Sequence, residues 1–63
     1  MERGDLIKQI NKLGKEKGIK PEYNEGGKHT KVALGDRQTV IPRHTEINEY
    51  TARGILKYLK GDA

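Results

Sequence analysis

The chain has no cysteine, which excludes a disulfide framework and a thiolate metal site. Its two histidines, His29 and His44, lie far apart, and no carboxylates stand at ligand-like spacing from them, so we expect no metal and no cofactor. Apolar runs are too short to span a membrane, and no apolar segment follows the charged residues of the N-terminus, so we expect no secretory signal. A cytoplasmic protein is the resulting expectation.

Phenylalanine and tryptophan are also absent, so aliphatic side chains must supply most of the core. A chain of 63 residues buries only about 60% of the surface that its unfolded form exposes, so this core must be thin. The large aliphatic residues are spread over the whole length, which predicts one shared core and a single domain over residues 1–63. They are Leu6, Ile7, Ile10, Leu13, Ile19, Val32, Leu34, Val40, Ile41, Ile47, Ile55, Leu56 and Leu59.

Positive charge is in excess, because 13 Lys and Arg residues oppose 9 Asp and Glu residues and give a net charge of +4. In so small a protein this leaves a positive field suited to a polyanion or an acidic protein. Many small domains carry a similar charge only to stay soluble, so charge alone leaves both interpretations open.

Two segments have the apolar spacing of amphipathic helices. The first is predicted from about residue 5 to residue 17, with Asp5 as its N-cap and Gly18 as its end. The second is predicted from about residue 49 to residue 60, with Asn48 as its N-cap, and Ile47 just before it turns inward. The polar side of the second helix carries a basic stripe of Arg53, Lys57 and Lys60.

Three strands are predicted between the helices. The segment from Ile19 to Glu25 is predicted to be extended. Because proline cannot donate to a ladder, this segment is either an edge strand or a strand with Pro21 just ahead of its paired part. His29 to Leu34 and Arg37 to Pro42 are two β-rich runs around Gly35-Asp36, a pair that suits a type II′ hairpin turn.

A two-residue turn sets the register of this hairpin and sorts its side chains between the two sheet faces. The pairs on the predicted core face are Leu34 with Arg37, Val32 with Thr39, and Thr30 with Ile41. The other face receives His29, Lys31, Ala33 and Gln38. A three-residue loop would instead pair Val32 with Val40, although strand alternation would still separate His29 from Val32.

The predicted element order is α-β-β-β-α, and the short connections between strands require an antiparallel meander. Two helices need a sheet face to cover, so we expect both on one face with the other face exposed. This single small α+β domain matches the double-stranded-RNA-binding fold in topology, although a fold does not by itself establish a function.

The tetrapeptide Gly26-Gly27-Lys28-His29 opens the second strand and carries the most chemistry in the chain. Two glycines allow a close approach to a ligand or an unusual turn, a lysine attracts anions, and an imidazole exchanges protons near neutral pH. Taken alone, the motif fits either a phosphodiester-handling site or an exposed strand histidine that hydrogen-bonds a neighbour.

Over nearly its whole length the chain resembles the HicA family, the small mRNA-cleaving toxins of HicA-HicB toxin-antitoxin systems. The resemblance rests on short motifs in a fixed order. They are Asp-Leu-Ile at residues 5–7, Gly27-Lys28-His29, Val40-Ile41-Pro42, a turn with His44, and Thr-Ala-Arg-Gly-Ile-Leu-Lys at residues 51–57. The chain departs from the family in one respect. Many members have an aromatic residue after the strand histidine, where this chain has Val32 and Leu34, and this weakens any base-stacking role for the strand.

The resemblance implies a metal-independent mRNA endoribonuclease that acts as the toxin of a type II toxin-antitoxin system, with His29 as general acid or base. It also implies a HicB-like antitoxin as protein partner and a higher-order toxin-antitoxin complex. The candidate contacts to RNA and its phosphates are Gly27, Lys28, Lys31, Arg43 and Arg53.

Several alternatives stay open on the sequence alone. His44 either satisfies backbone groups of its loop or serves as the acid for the leaving 5′-oxygen. Tyr23 and Tyr50 are expected to pack at the edge of the core. The alternative function is a non-catalytic RNA-binding module that uses the same basic sheet face, and a structural partner-binding domain is the third.

Overall fold

The computed structural model describes residues 1–61, which form two helices and a three-stranded antiparallel sheet in the order α-β-β-β-α. The prediction of an α+β fold with this order is confirmed. The elements are α1 Arg3–Lys17, β1 Glu22–Gly26, β2 His29–Leu34, β3 Arg37–Pro42 and α2 Glu49–Lys60. Neither helix has the length and apolarity needed to cross a bilayer.

Helix α1 begins at Arg3, so the prediction of Asp5 as its N-cap is wrong. Glu2 holds the cap position, and its side chain makes no capping bond. Backbone contacts with a distant segment fix this helix start instead: Glu2 bridges to Glu46, and Arg3 N donates to Thr45 O at 2.8 Å. Asp5 lies in the first turn, where its carboxylate interacts favourably with the helix dipole.

The other helix boundaries follow the predictions. Gly18 ends α1 and Gly61 ends α2. At the start of α2, Asn48 Oδ1 accepts a hydrogen bond from Tyr50 N at 2.8 Å. Ile47 is 3% exposed and belongs to the core. The Tyr50 side chain is 88% exposed, so the prediction that it packs at the edge of the core is wrong.

The sheet order is β1-β2-β3, so β2 is the central strand and β1 is an edge strand, with Pro21 just ahead of its paired part. Both connections are two-residue turns, Gly27-Lys28 and Gly35-Asp36. Gly27 and Gly35 have φ values of 63° and 66°, and no other residue type within residues 1–61 has a positive φ. A positive φ at the first central position alone is the pattern of a type II′ turn.

The predicted register of β2 and β3 is confirmed, and it places Thr30, Val32 and Leu34 on the buried face. Both helices contribute to the core on this face. The buried apolar cluster comprises Leu6, Ile10, Val32, Leu34, Ile41, Ile47, Ala52, Ile55 and Leu59. Ile19 and Val40, which were expected in the shared core, are 39% and 43% exposed.

Candidate functional site

The open face is the side of the sheet turned away from the helices, and all of its side chains are exposed or half-buried. Strand alternation and the two registers give it three rows of cross-strand neighbours. The rows are Gly26-His29-Pro42, Asn24-Lys31-Val40 and Glu22-Ala33-Gln38. The face therefore combines one imidazole, one ammonium group, one carboxylate and two carboxamides, and these rows contain no Phe, Tyr or Trp ring.

His29 is the first residue of the central strand, and its two cross-strand neighbours are Gly26 and Pro42. Neither neighbour has a long side chain, so the imidazole is exposed and open to approach from above the sheet. In the described part of the chain the imidazole has no hydrogen-bond or ion-pair partner. The interpretation of His29 as a strand histidine bonded to a neighbour therefore receives no support from the contacts.

Two lysines flank this histidine. Lys28 precedes it in the turn, and Lys31 follows on the same strand and face, about 6.6 Å away along the strand axis. Beside Lys31 a shallow depression of about 690 Å³ lies on the sheet, and Asn24 and Gln38 contribute to its lining. The predicted residues Gly27, Lys28, His29 and Lys31 thus lie together at one end of the open face.

Glu25 lies on the opposite face of β1 and is the centre of a polar network. Thr30 Oγ1 donates to Glu25 Oε1 at 2.7 Å, and Arg3 Nη2 donates to Thr30 Oγ1 at 2.6 Å. Arg3 and Arg43 each place Nη2 3.4 Å from a Glu25 carboxylate oxygen. The Thr30 hydrogen bond holds the pKa of Glu25 below its usual value, and the nearby charges of Arg43 and Arg3 add to this effect.

Arg43, a predicted phosphate contact, is directed by this network to the helix side of the sheet. Its guanidinium contacts Glu25 rather than the open face, and its side chain is 43% exposed. Together with the start of α1, it lines a shallow cavity of about 390 Å³. The structure places Arg43 at the same end of the sheet as His29 but on the other side.

Arg53 lies farther away, on the surface formed by the two helices. Its side chain is 79% exposed, its Nε lies 3.7 Å from Glu49 Oε2, and it lines a groove with Lys12 and Lys57. Because the helices cover the core face, the whole sheet separates Arg53 from His29. The structure does not bring these two predicted site residues together.

His44 lies in the linker between β3 and α2 and is exposed. The residues on both sides of it have contacts with other elements, since Arg43 contacts Glu25 on β1 and Thr45 O accepts from Arg3 N at the start of α1. No contact within residues 1–61 orients the His44 imidazole. Both interpretations of this histidine therefore remain predictions.

Two polar residues near the site escaped the sequence interpretation. Glu25 was assigned only to an extended segment, yet its pairing with Thr30 makes it part of the network described above. Asn24, the residue before Glu25, lies on the open face. Its Oδ1 lies 3.8 Å from the position that a Cβ on Gly26 would take. Strand alternation along β1 would have placed these two side chains on opposite faces of the sheet. Their neighbours on β2 follow only from the register of the first hairpin.

No group of three or more His, Asp or Glu side chains within residues 1–61 is arranged to hold a metal ion. Comparison of this chain with protein-family models, with curated proteins and with solved structures finds no match.

Proposed function

We propose that this protein is a metal-independent endoribonuclease that cleaves mRNA, the toxin of a HicA-like toxin-antitoxin pair. The observation that carries the proposal is the position of His29 on the open face, between Gly26 and Pro42 and flanked by two lysines. Its imidazole is exposed and has no hydrogen-bond or ion-pair partner within the described residues, so it can approach a phosphodiester without breaking a contact of the fold.

RNA supplies its own nucleophile, so one imidazole beside a phosphodiester is sufficient to start cleavage. The 2′-hydroxyl gives its proton to His29, its oxygen forms a bond to phosphorus, and the bond from phosphorus to the 5′-oxygen breaks. The products are a 2′,3′-cyclic phosphate and a 5′-hydroxyl, whose proton comes from water or from His44. Lys28 and Lys31 stabilise negative charge on the phosphorane oxygens.

The expected rate is modest. General acid-base catalysis contributes on the order of 10²-fold to 10⁴-fold, and the described residues give His29 no orienting partner. A toxin that acts slowly on mRNA in the cytoplasm fits such a site. Its proposed inhibitor is a HicB-like antitoxin that covers the open face with acidic and apolar groups, and the two proteins assemble into a higher-order complex.

The test is incubation of the purified protein with an mRNA transcript in the presence of a metal chelator. The wild type is expected to produce fragments that end in 2′,3′-cyclic phosphate, and its expression is expected to arrest bacterial growth. His29→Ala should leave the RNA intact and permit growth. Gln38→Ala, an open-face change in the row farthest from His29, serves as the matched control and should cleave like the wild type.

A second candidate, a non-catalytic RNA-binding module, is favoured by the position of Arg53, Lys12 and Lys57 on the helical surface. Basic groups on both sides of the domain suit a protein that grips phosphates without cutting them. Such a module would retard RNA in a gel with a strong dependence on salt and leave it intact after long incubation. Cleavage that requires His29 would exclude it.

A further inference from the structure

We propose that Asn24 is a second catalytic residue, whose carboxamide donates a hydrogen bond to a phosphorane oxygen during cleavage. This inference rests on the proposed ribonuclease function and specifies a group that neither the histidine nor the lysines supply. Removing one such donor from an active site typically lowers kcat by about 10²-fold to 10³-fold.

The position of the Asn24 amide is the first support. Asn24 lies one row from His29 on the open face, and its side chain leans toward that row, because Oδ1 lies 3.8 Å from where a Cβ on Gly26 would be. Gly26 is the direct cross-strand partner of His29, and the Cβ positions of such a pair lie about 4.5–5.5 Å apart. The amide therefore lies next to the position from which a Gly26 side chain would project, one row from His29.

The freedom of the Asn24 amide is the second support. Of the three asparagines, Asn11 accepts a hydrogen bond from Tyr23 Oη at 2.7 Å, and Asn48 caps α2. Asn24 has no hydrogen-bond partner within residues 1–61. Its terminal torsion is soft, so the amide can turn its Nδ2 toward a phosphate oxygen beside the imidazole without breaking a contact of this kind.

The chemistry of the open face is the third support. When the 2′-oxygen attacks phosphorus, negative charge grows on the non-bridging oxygens, and directed N–H groups stabilise it. Lys28 lies in a turn and Lys31 points from the next row, so both bring charge with long, flexible side chains. A short carboxamide on a strand adds direction, and Asn24 lies in the row next to that of His29, whereas Gln38 lies one row farther away.

The experiment compares the cleavage kinetics of Asn24→Ala, Asn24→Asp and Gln38→Ala on one mRNA transcript, with fragment ends mapped. Gln38 is the matched control, because it is another exposed, unpartnered carboxamide on the open face, in the row farthest from His29. Asn24→Ala is expected to lower kcat by about 100-fold with a small change in KM. Asn24→Asp should lower kcat further because its carboxylate repels the phosphate. Gln38→Ala should have the kcat of the wild type.

Each other outcome overturns the inference in a distinguishable way. An unchanged kcat in Asn24→Ala removes the catalytic role and leaves the proposed ribonuclease in place. An unchanged kcat with altered cleavage positions would mean that Asn24 selects a base instead. Equal losses in Asn24→Ala and Gln38→Ala would indicate a general effect on the open face. Intact RNA with the wild type would overturn the proposed function and this inference together. Circular dichroism of each variant confirms that the fold is retained.

Discussion

The two faces of this small sheet differ in how their polar groups are used. On the core face, Thr30 is 1% exposed and its hydroxyl bridges Arg3 to Glu25, so the most buried polar side chain is paired within the protein, while the buried Nε of Arg3 has no partner in the described residues. On the open face, His29 and Asn24 have no partner within residues 1–61. The contrast indicates that the stability of the domain comes from one face and that the side chains of the other face are available for binding and chemistry.

The largest expected difference between the faces is in the loss of unfolding free energy when two adjacent residues of β3 are shortened to alanine. Ile41 is fully buried and Val40 is 43% exposed. Ile41→Ala should lower the free energy of unfolding by about 2–5 kcal/mol through lost burial and a cavity, a large part of the stability of a small domain. Val40→Ala should change it by less than about 0.5 kcal/mol. Urea denaturation measures both, and similar losses would contradict the assignment of faces.

Two helical glycines provide the next contrast. A Cβ on Gly14 would lie 2.5 Å from Ile19 O, a backbone atom that cannot move away easily, whereas a Cβ on Gly54 would meet no atom within 4 Å. Gly14→Ala is expected to lower the free energy of unfolding by about 1–3 kcal/mol. Gly54→Ala is expected to raise it by about 0.5–1 kcal/mol, because alanine favours a helix interior. A stable Gly14→Ala variant would show that α1 does not pack closely on the segment before β1.

The polar network on the core face can be tested with two threonines. Thr30→Val keeps the shape but removes the hydroxyl between Arg3 and Glu25, and it should lower the free energy of unfolding by about 1 kcal/mol. Thr39→Val is the control, since Thr39 is half-buried and has no hydrogen bond within the described residues. Equal effects of the two changes in urea denaturation would remove the network as a source of stability.

The same network predicts a pH dependence of stability. Folding lowers the pKa of Glu25 below its ordinary value of 4.5, so its carboxylate stabilises the fold above that pH. This contribution is lost as the pH falls through the lowered pKa. In Glu25→Gln the unfolding free energy should therefore fall less steeply as the pH is lowered from neutral to acidic. Glu16→Gln, on the exposed side of α1, should leave the decline unchanged, and equal slopes for the two variants would contradict the role of Glu25.

The features that the sequence predicts correctly are those set by residues close together in the chain. The Gly35-Asp36 turn and strand alternation are local signals, and they were sufficient to place His29 on the exposed face with the correct register. The start of α1 and the Glu25 network depend on contacts between distant segments. Arg3 is 27 residues from Thr30, and Glu25 is 18 residues from Arg43, so no local pattern reveals these pairs.

The predicted set of phosphate contacts shows the same limit. Lys28 and Lys31 are close to His29 along the chain, and they lie near it in the fold. Arg43 was chosen for its guanidinium group, and a tertiary contact turns it toward Glu25 on the helix side. Arg53 lies on the polar side of α2, where it pairs with Glu49 four residues earlier. Charge and spacing identify candidate ligands for phosphate, but the face on which a distant residue lies follows only from the packing.

At His29 we expect a large effect on function together with a small effect on stability. The measurement that tests this most directly is cleavage of an mRNA transcript by the wild type and by His29→Ala, with the unfolding free energy of both determined in parallel. We expect the variant to retain its stability within about 0.5 kcal/mol and to lose cleavage. Cleavage by His29→Ala at the wild-type rate, or intact RNA with both proteins, would contradict the assignment of a catalytic site to the open face.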